Sequence, residues 1–405
     1  MGQNHHLDQL LANKDVENNS FLHDFNMLLK HANEKGIKLT EKKNVSPKEI
    51  KIINELFIKK EILGMVIGDK AYKFRGEFES HYFSRLHQLA KIEKLIHPKF
   101  NKIITSKNNY SAYCKLSSKE QYIKMFDSII LNVNYNSNYY DEEEITTNFL
   151  NGYFSLILWI LKKISDNEPD NNYISLDKFS KELKKYINLE KIWSLVQNED
   201  RQFIFSDRFV KDYFEKILDI FDIIELKWIN SYTIQGWKLT SFGKQFIDKY
   251  LEQQREFERY SDGSVKADLE LFNHNKEYCY YEGMEHLEAW NIEIALMWLY
   301  QSVLLDENYV AAYVGLSSLY DSVRNIEMQR KNIIKAFQIS MYKLPFLGED
   351  ISWGIIENRQ YLRALENMAS MYNTDNNIKE AEEIYKLILR LNPNDNQGIR
   401  YYLAG

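Results

Sequence analysis

The chain has 405 residues, 44% of them apolar and 14% aromatic, with a formal net charge of −6. That apolar and aromatic content excludes a disordered chain, and only 15 glycines and 5 prolines exclude collagen-like, linker-dominated and turn-rich all-β chains and favour helices. The charge is uneven: residues 1–110 hold 19 Lys+Arg against 13 Asp+Glu, a net of +6, and the remainder is acidic. Only the first quarter is biased towards polyanions. The two cysteines, Cys114 and Cys279, are far apart and no CxxC occurs, which points to a reducing, cytoplasmic location. The N-terminus lacks the apolar stretch of a signal peptide. The most apolar run, Phe154–Ile164, is too short to cross a bilayer, so no membrane partner is expected.

In chain order, residues 1–19 are polar. Phe21, Leu22, Phe25, Leu28 and Leu29 then form one stripe at helical spacing, predicting a helix over Phe21–Asn33 that Gly36 ends. Ile37–Thr40 reads as a short extended piece. Ser46-Pro47-Lys48-Glu49 combines a capping serine, proline at the first helical position and glutamate three residues after the cap, so a helix is expected from Pro47 to Lys60. A further helix is expected over Glu79–Ile96, closed by Pro98. Strands are expected at Ile103-Ile104 and Tyr110–Leu116, then a helix capped at Ser117. The pattern returns later: a helix over Arg208–Phe221 capped by Ser206, strands at Ile223–Trp228 and Tyr232–Leu239, and a helix capped by Thr240. Between the two lie an apolar helix, Ile145–Ile164, and a helix capped by Ser175 that runs to Ile187. Tyr260-Ser261-Asp262-Gly263-Ser264 reads as a linker. The expected domains are therefore 1–133, 134–260 and 265–405.

A period of 34 residues emerges after residue 275. Units beginning at Lys276 and Val310, and a third at Leu362 after an 18-residue insertion, align small residues (Gly283, Ala295, Ser302; Ser317, Ala336; Ala369, Ala381) and bulky ones (Leu299; Tyr313, Tyr320, Ile333; Leu365, Tyr372, Tyr385). Small residues let paired helices approach, and bulky ones fill the space between units. On these positions, and on the closing stretch Leu391-Asn392-Pro393-Asn394, residues 276–405 resemble the tetratricopeptide-repeat superfamily. Gln329 departs from that pattern, where a small residue is usual. The two helix, hairpin, helix segments resemble, more loosely, bacterial winged-helix-like proteins of unknown function. The expected fold is mainly α: winged-helix-like helix and β-hairpin modules followed by a short α-solenoid.

The resemblance implies a groove along the first helix of each unit. Its positions fall on Tyr280, Met284 and Leu287, then Val314 and Ser318, then Arg363, Glu366 and Asn373. That mixture of apolar, aromatic and charged groups suits a peptide with an apolar anchor. Phosphate loops, GxGxxG, HExxH and GxSxG are all absent, so no enzyme, metal or cofactor is expected. His286 lies at a packing position four residues after Glu282, and Asp141–Glu144 precedes a helix start. The expected function is a non-enzymatic adaptor or scaffold that captures a protein or peptide partner. The alternative is a nucleic-acid-binding regulator contacting phosphates through Lys48, Lys51, Lys59 and Lys60.

Overall fold

The computed structural model describes residues 11–12, 16–61, 63–67, 70–130, 142–168, 172–197, 210–230, 233–262, 274–344 and 351–404. The described chain is mainly helical and divides into two compact units. One comprises residues 1–186 and 204–273; the other comprises 187–203 and 274–405. The boundary expected after residue 133 thus falls inside the first unit, because side chains on both sides of it share one core.

In the first unit, α1 (Ser20–Glu34) starts with Asn19 accepting the Leu22 N–H at 3.1 Å. Gly36 follows in the left-handed region at φ 72°, where a side chain would be strained. The chain then enters β1 (Ile37–Lys38) and α2 (Pro47–Asn54), which Ser46 caps by accepting the Glu49 N–H. The helix ends six residues earlier than expected, so Lys59 and Lys60 lie beyond it. A hairpin, β2 (Met65–Ile67) and β3 (Lys70–Tyr72), precedes α3 (His81–Ile92). Next come β4 (Ile96–Lys99), β5 (Lys102–Thr105), α4 (Lys107–Tyr113) and α5 (Ser118–Ile130). The sheet order is β1-β5-β4, antiparallel throughout. Two expectations are corrected here. Pro98 does not close a helix but sits in the edge strand β4, where its missing N–H is tolerated. Residues 110–113 are helical rather than extended, since the turn begins at Ser106, with the Tyr110 N–H bonded to its carbonyl.

The expected helix over Ile145–Ile164 is broken at Gly152 into α6 (Glu142–Asn151) and α7 (Phe154–Ser165). Then follow α8 (Leu176–Leu183), with Ser175 as its cap, and a helical turn to Asp219. Residue 206, expected as a cap, lies outside the described residues. The strands β6 (Ile224–Asn230) and β7 (Thr233–Leu239) match expectation, and α10 (Ser241–Asp262) follows. Thr240 accepts the Gly243 N–H at 2.8 Å. Gly243 is required there: a Cβ would stand 1.8 Å from the Ile223 carbonyl oxygen. Phe21, Phe126, Tyr122, Phe221, Phe154 and Phe246 form an aromatic core, with Phe21 and Phe126 each 4.9 Å from Phe221, centroid to centroid. Such pairs contribute about 0.5–1.5 kcal/mol each beyond area burial. Phe126 to Phe154, at 5.5 Å, and Phe126 to Phe246, at 5.8 Å, cross the expected boundary.

The second unit holds α9 (Leu189–Gln197) and three helix pairs: α11 (Lys276–Glu288) with α12 (Ile292–Leu305), α13 (Val310–Ser322) with α14 (Ile326–Lys343), and α15 (Ile356–Thr374) with α16 (Ile378–Leu391). A short α17 (Ile399–Ala404) closes it. Every pair turns the same way. Trp290, Arg324 and Asn376 adopt φ 61°, 58° and 62°. In each turn the next residue, an asparagine, donates its N–H to a carbonyl five residues back: Asn291 to His286, Asn325 to Tyr320 and Asn377 to Tyr372. These turns stand 34 and 52 residues apart, the spacing of the sequence units with their insertion.

Candidate peptide-binding face

The face is built on the first helix of each pair, with α13 packed against both α11 and α15. Close approach depends on small residues. Leu299 of α12 reaches between α11 and α13: a Cβ on Gly283 would lie 2.7 Å from its Cγ, and one on Gly315 2.9 Å from its Cδ2. Gly315 also faces Met284 and Tyr280, which would stand 3.1 and 3.3 Å from such a Cβ. Ala311, in the same helix, donates its N–H to Gln360 of α15 at 3.0 Å. With glycine and alanine at the middle helix, side chains of α11 and α15 meet across it: the Arg363 guanidinium lies beside the Tyr280 hydroxyl. Burial pushes the Tyr280 phenol up, and Arg363 pulls it part of the way back.

Arg363 also lies over the Trp353 ring, 5.6 Å from its centroid, as does Arg359 one helical turn earlier. Arg359 Nε donates to the Trp353 carbonyl at 2.9 Å. Among the described residues neither guanidinium has a carboxylate within 4.0 Å. On the other side, Tyr280 packs edge-on against Tyr309 at 6.1 Å, and the Lys276 ammonium sits 5.2 Å from the Tyr309 ring while paired to Asp306 at 2.6 Å. Burial would raise Asp306, but Lys276 and the Asn308 N–H outweigh it and hold the carboxyl low. Tyr281, beside Tyr280, is 58% exposed, which leaves an aromatic edge open.

The eight expected groove residues divide. Tyr280 and Arg363 are brought together. Met284 and Leu287 pack partly buried against the cluster around Leu299 and Leu316, so they support the face more than they present it. Val314 is buried in the neighbouring cluster and is corrected to a core residue, because its helix lies in the middle of the three. Ser318 is exposed, its hydroxyl turned back to the Val314 carbonyl at 3.2 Å. Glu366 accepts a hydrogen bond from the Gln397 side chain, which ties it to the end of the unit. Asn373 is exposed near the α15 terminus. Trp353, Arg359 and Tyr309 were not anticipated. Trp353 lies in the aperiodic insertion; the Arg359–Arg363 spacing, one helical turn, was the available signal.

The lysines fare differently. Lys59 reaches Asp219 at 3.2 Å and Asp222 at 3.6 Å with only 21% of its side chain exposed, so it is committed to the fold rather than free for phosphate. Lys60 pairs with Glu55 at 2.8 Å. Lys48 and Lys51 are exposed on α2. His286 is partly buried, pushed down by burial, with Asn291 Nδ2 3.4 Å from its Nδ1; Glu282 lies by the Tyr278 hydroxyl. The side chains of 141–144 lie outside the described residues. Among the described residues no cluster of three or more His, Cys, Asp or Glu side chains is placed to hold a metal, and no helix is long and apolar enough to cross a membrane. A polar depression of about 400 Å³ in the first unit is lined by Lys162, Asp166, Lys244 and Asp248, with Lys162 paired to both acids. No family model, no curated protein and no solved structure matches this chain.

Proposed function

We propose that the chain is a non-enzymatic adaptor whose second unit, a tetratricopeptide-like array, captures a peptide segment of a protein partner. The observation that carries this reading is the face of α11 and α15, where Tyr280, Tyr281, Tyr309, Trp353, Arg359 and Arg363 form a chain of ring and guanidinium contacts and Tyr280 lies against Gly315 of the middle helix. Rigid tyrosine and tryptophan rings supply contact area at low entropic cost, and arginine supplies directional donors; these residue types dominate binding hot spots. The partner segment places an apolar or aromatic side chain against the tyrosines and acceptor groups on the two guanidiniums.

The test is selection of peptides on the full chain from a displayed random library, followed by affinity measurement on variants. Tyr280→Ala and Arg363→Glu are each expected to weaken the selected peptides at least about tenfold, as for hot-spot truncation. Tyr401→Ser, 85% exposed at the far end of the unit, is expected to change nothing. Equal binding by all variants overturns the reading.

A further inference from the structure

The strand hairpin of the first unit ends in a costly way. β4 and β5 are joined by Phe100 and Asn101, with Lys99 directly opposite Lys102. Phe100 adopts φ 55°. That left-handed conformation suits glycine or asparagine, and a bulky aromatic there is a strained outlier. The ring gains nothing in return from the fold, since Phe100 is 88% exposed.

A second cost sits beside it. Lys38 of β1 is also directly opposite Lys102, so Lys38, Lys102 and Lys99 form a cross-strand row over all three strands. Directly paired residues share a sheet face, and like charges there repel. All three are exposed. The neighbouring loop adds Lys42 and Lys43, both exposed, and Lys43 Nζ is held against the apex by Asn101 Oδ1 at 2.9 Å. Lys102 is anchored by its own bond to the Lys35 carbonyl at 3.1 Å. The acids nearby are Glu34 and Glu41, both exposed, and Glu49, which is buried and bonded to His31 at 3.0 Å. Lys38 is 4.0 Å from Glu49 yet keeps 66% of its side chain exposed. The basic excess of residues 1–110 is thus focused around one apolar apex.

We infer that this hairpin tip is a contact site for an anionic lipid surface, with Phe100 entering the headgroup region and Lys38, Lys42, Lys43, Lys99 and Lys102 forming its collar. A single aromatic apex ringed by cations meets a flat anionic surface. A nucleic-acid strand would call for several stacking rings along a track, and Phe100 is the only ring at this turn. Basic residues near an anionic bilayer attract it individually, and an inserted apolar group adds the second signal that stable attachment needs. The contact is peripheral.

The test is co-sedimentation of the full chain with phosphatidylcholine vesicles, with and without phosphatidylserine, and in parallel with single-stranded DNA and RNA. Binding is expected only to phosphatidylserine-containing vesicles and is expected to weaken as salt rises. Phe100→Gly is expected to reduce vesicle binding about tenfold while leaving the thermal midpoint unchanged or higher, because glycine relieves the backbone. Lys99→Gln and Lys102→Gln are each expected to cost about fivefold. Equal binding to neutral and anionic vesicles, no binding to either, or full vesicle binding by Phe100→Gly overturns the inference. Nucleic-acid binding that these variants abolish, without vesicle binding, overturns it in favour of a nucleic-acid contact.

Discussion

The two units solve the same problem by different means. In the second, one turn is used three times, and each helix pair packs on its neighbours through residues repeated at a fixed spacing. In the first, irregular segments are fastened by single acids, one fully and one partly buried. Asp24, fully buried, accepts the Ile58 N–H at 2.6 Å, the Lys59 N–H at 3.0 Å and the Tyr82 hydroxyl at 3.1 Å. Glu61 takes the Tyr82 and Phe83 N–H groups at the start of α3, where the helix lacks its own cap, and the Ser80 hydroxyl. The difference teaches where function can be carried. A repeated scaffold leaves the outer positions of its first helices free to vary, and there the tyrosines and arginines are found. A fold held by unique charge contacts consumes its charges, as Lys59 shows.

The comparison breaks most visibly at glycines. Gly243→Ala places a Cβ against a backbone carbonyl that cannot move, and is expected to destabilise the first unit by about 3 kcal/mol or more in denaturant unfolding. Gly283→Ala meets chiefly the Leu299 side chain, which can turn aside, with the Leu299 backbone nitrogen 3.3 Å from the new Cβ, and is expected to cost about 1–2 kcal/mol. Between these, Asp24→Asn keeps the shape but weakens three charge-assisted bonds, with an expected loss of about 2 kcal/mol read in the same titration. Lys59→Met leaves two carboxylates facing each other; a loss of about 1–2 kcal/mol with no change in nucleic-acid retention is expected, and reduced retention in a folded variant would contradict the structural role. Smallest is the turn test. Arg324→Gly relieves a left-handed residue and is expected to raise stability by a few tenths of a kcal/mol, seen as a small rise in midpoint.

A pH series sharpens the same contrast. Asp306 is held low by Lys276, so this pair stabilises the second unit above the unfolded carboxyl's range. The contribution is lost as pH falls through the lowered folded value. Lys276→Met is expected to remove that acid-side loss from the thermal midpoint's pH profile; an unaltered profile would show that the pair contributes nothing.

Much of this was legible where local chemistry decides. The caps at Ser46, Ser117, Ser175 and Thr240 all appear, since each side chain satisfies helix N–H groups within three residues. The hairpin β6–β7 and the 34-residue period were also readable. Strand β4 was hidden because Pro98 resembles a helix stop in a sequence and an edge strand only in a sheet. Tyr110–Leu116 looked extended because its tyrosines favour strands, yet the helix that begins after Ser106 runs on to Tyr113. Val314 looked like a groove residue because register alone cannot tell a middle helix's exposed face from its covered one. Trp353 and Arg359 lie in or beside an insertion without period, so no alignment of units could place them. The asparagine after each left-handed turn, at 291, 325 and 377, was an unused signal for the regular pairs.

The most direct test of the central claim is amide hydrogen exchange on the full chain with and without a peptide selected for binding. The account predicts new protection in α11, in α15 and across residues 351–363, with Arg363→Glu abolishing it. Protection confined to α12, α14 and α16, or to the first unit, would contradict it.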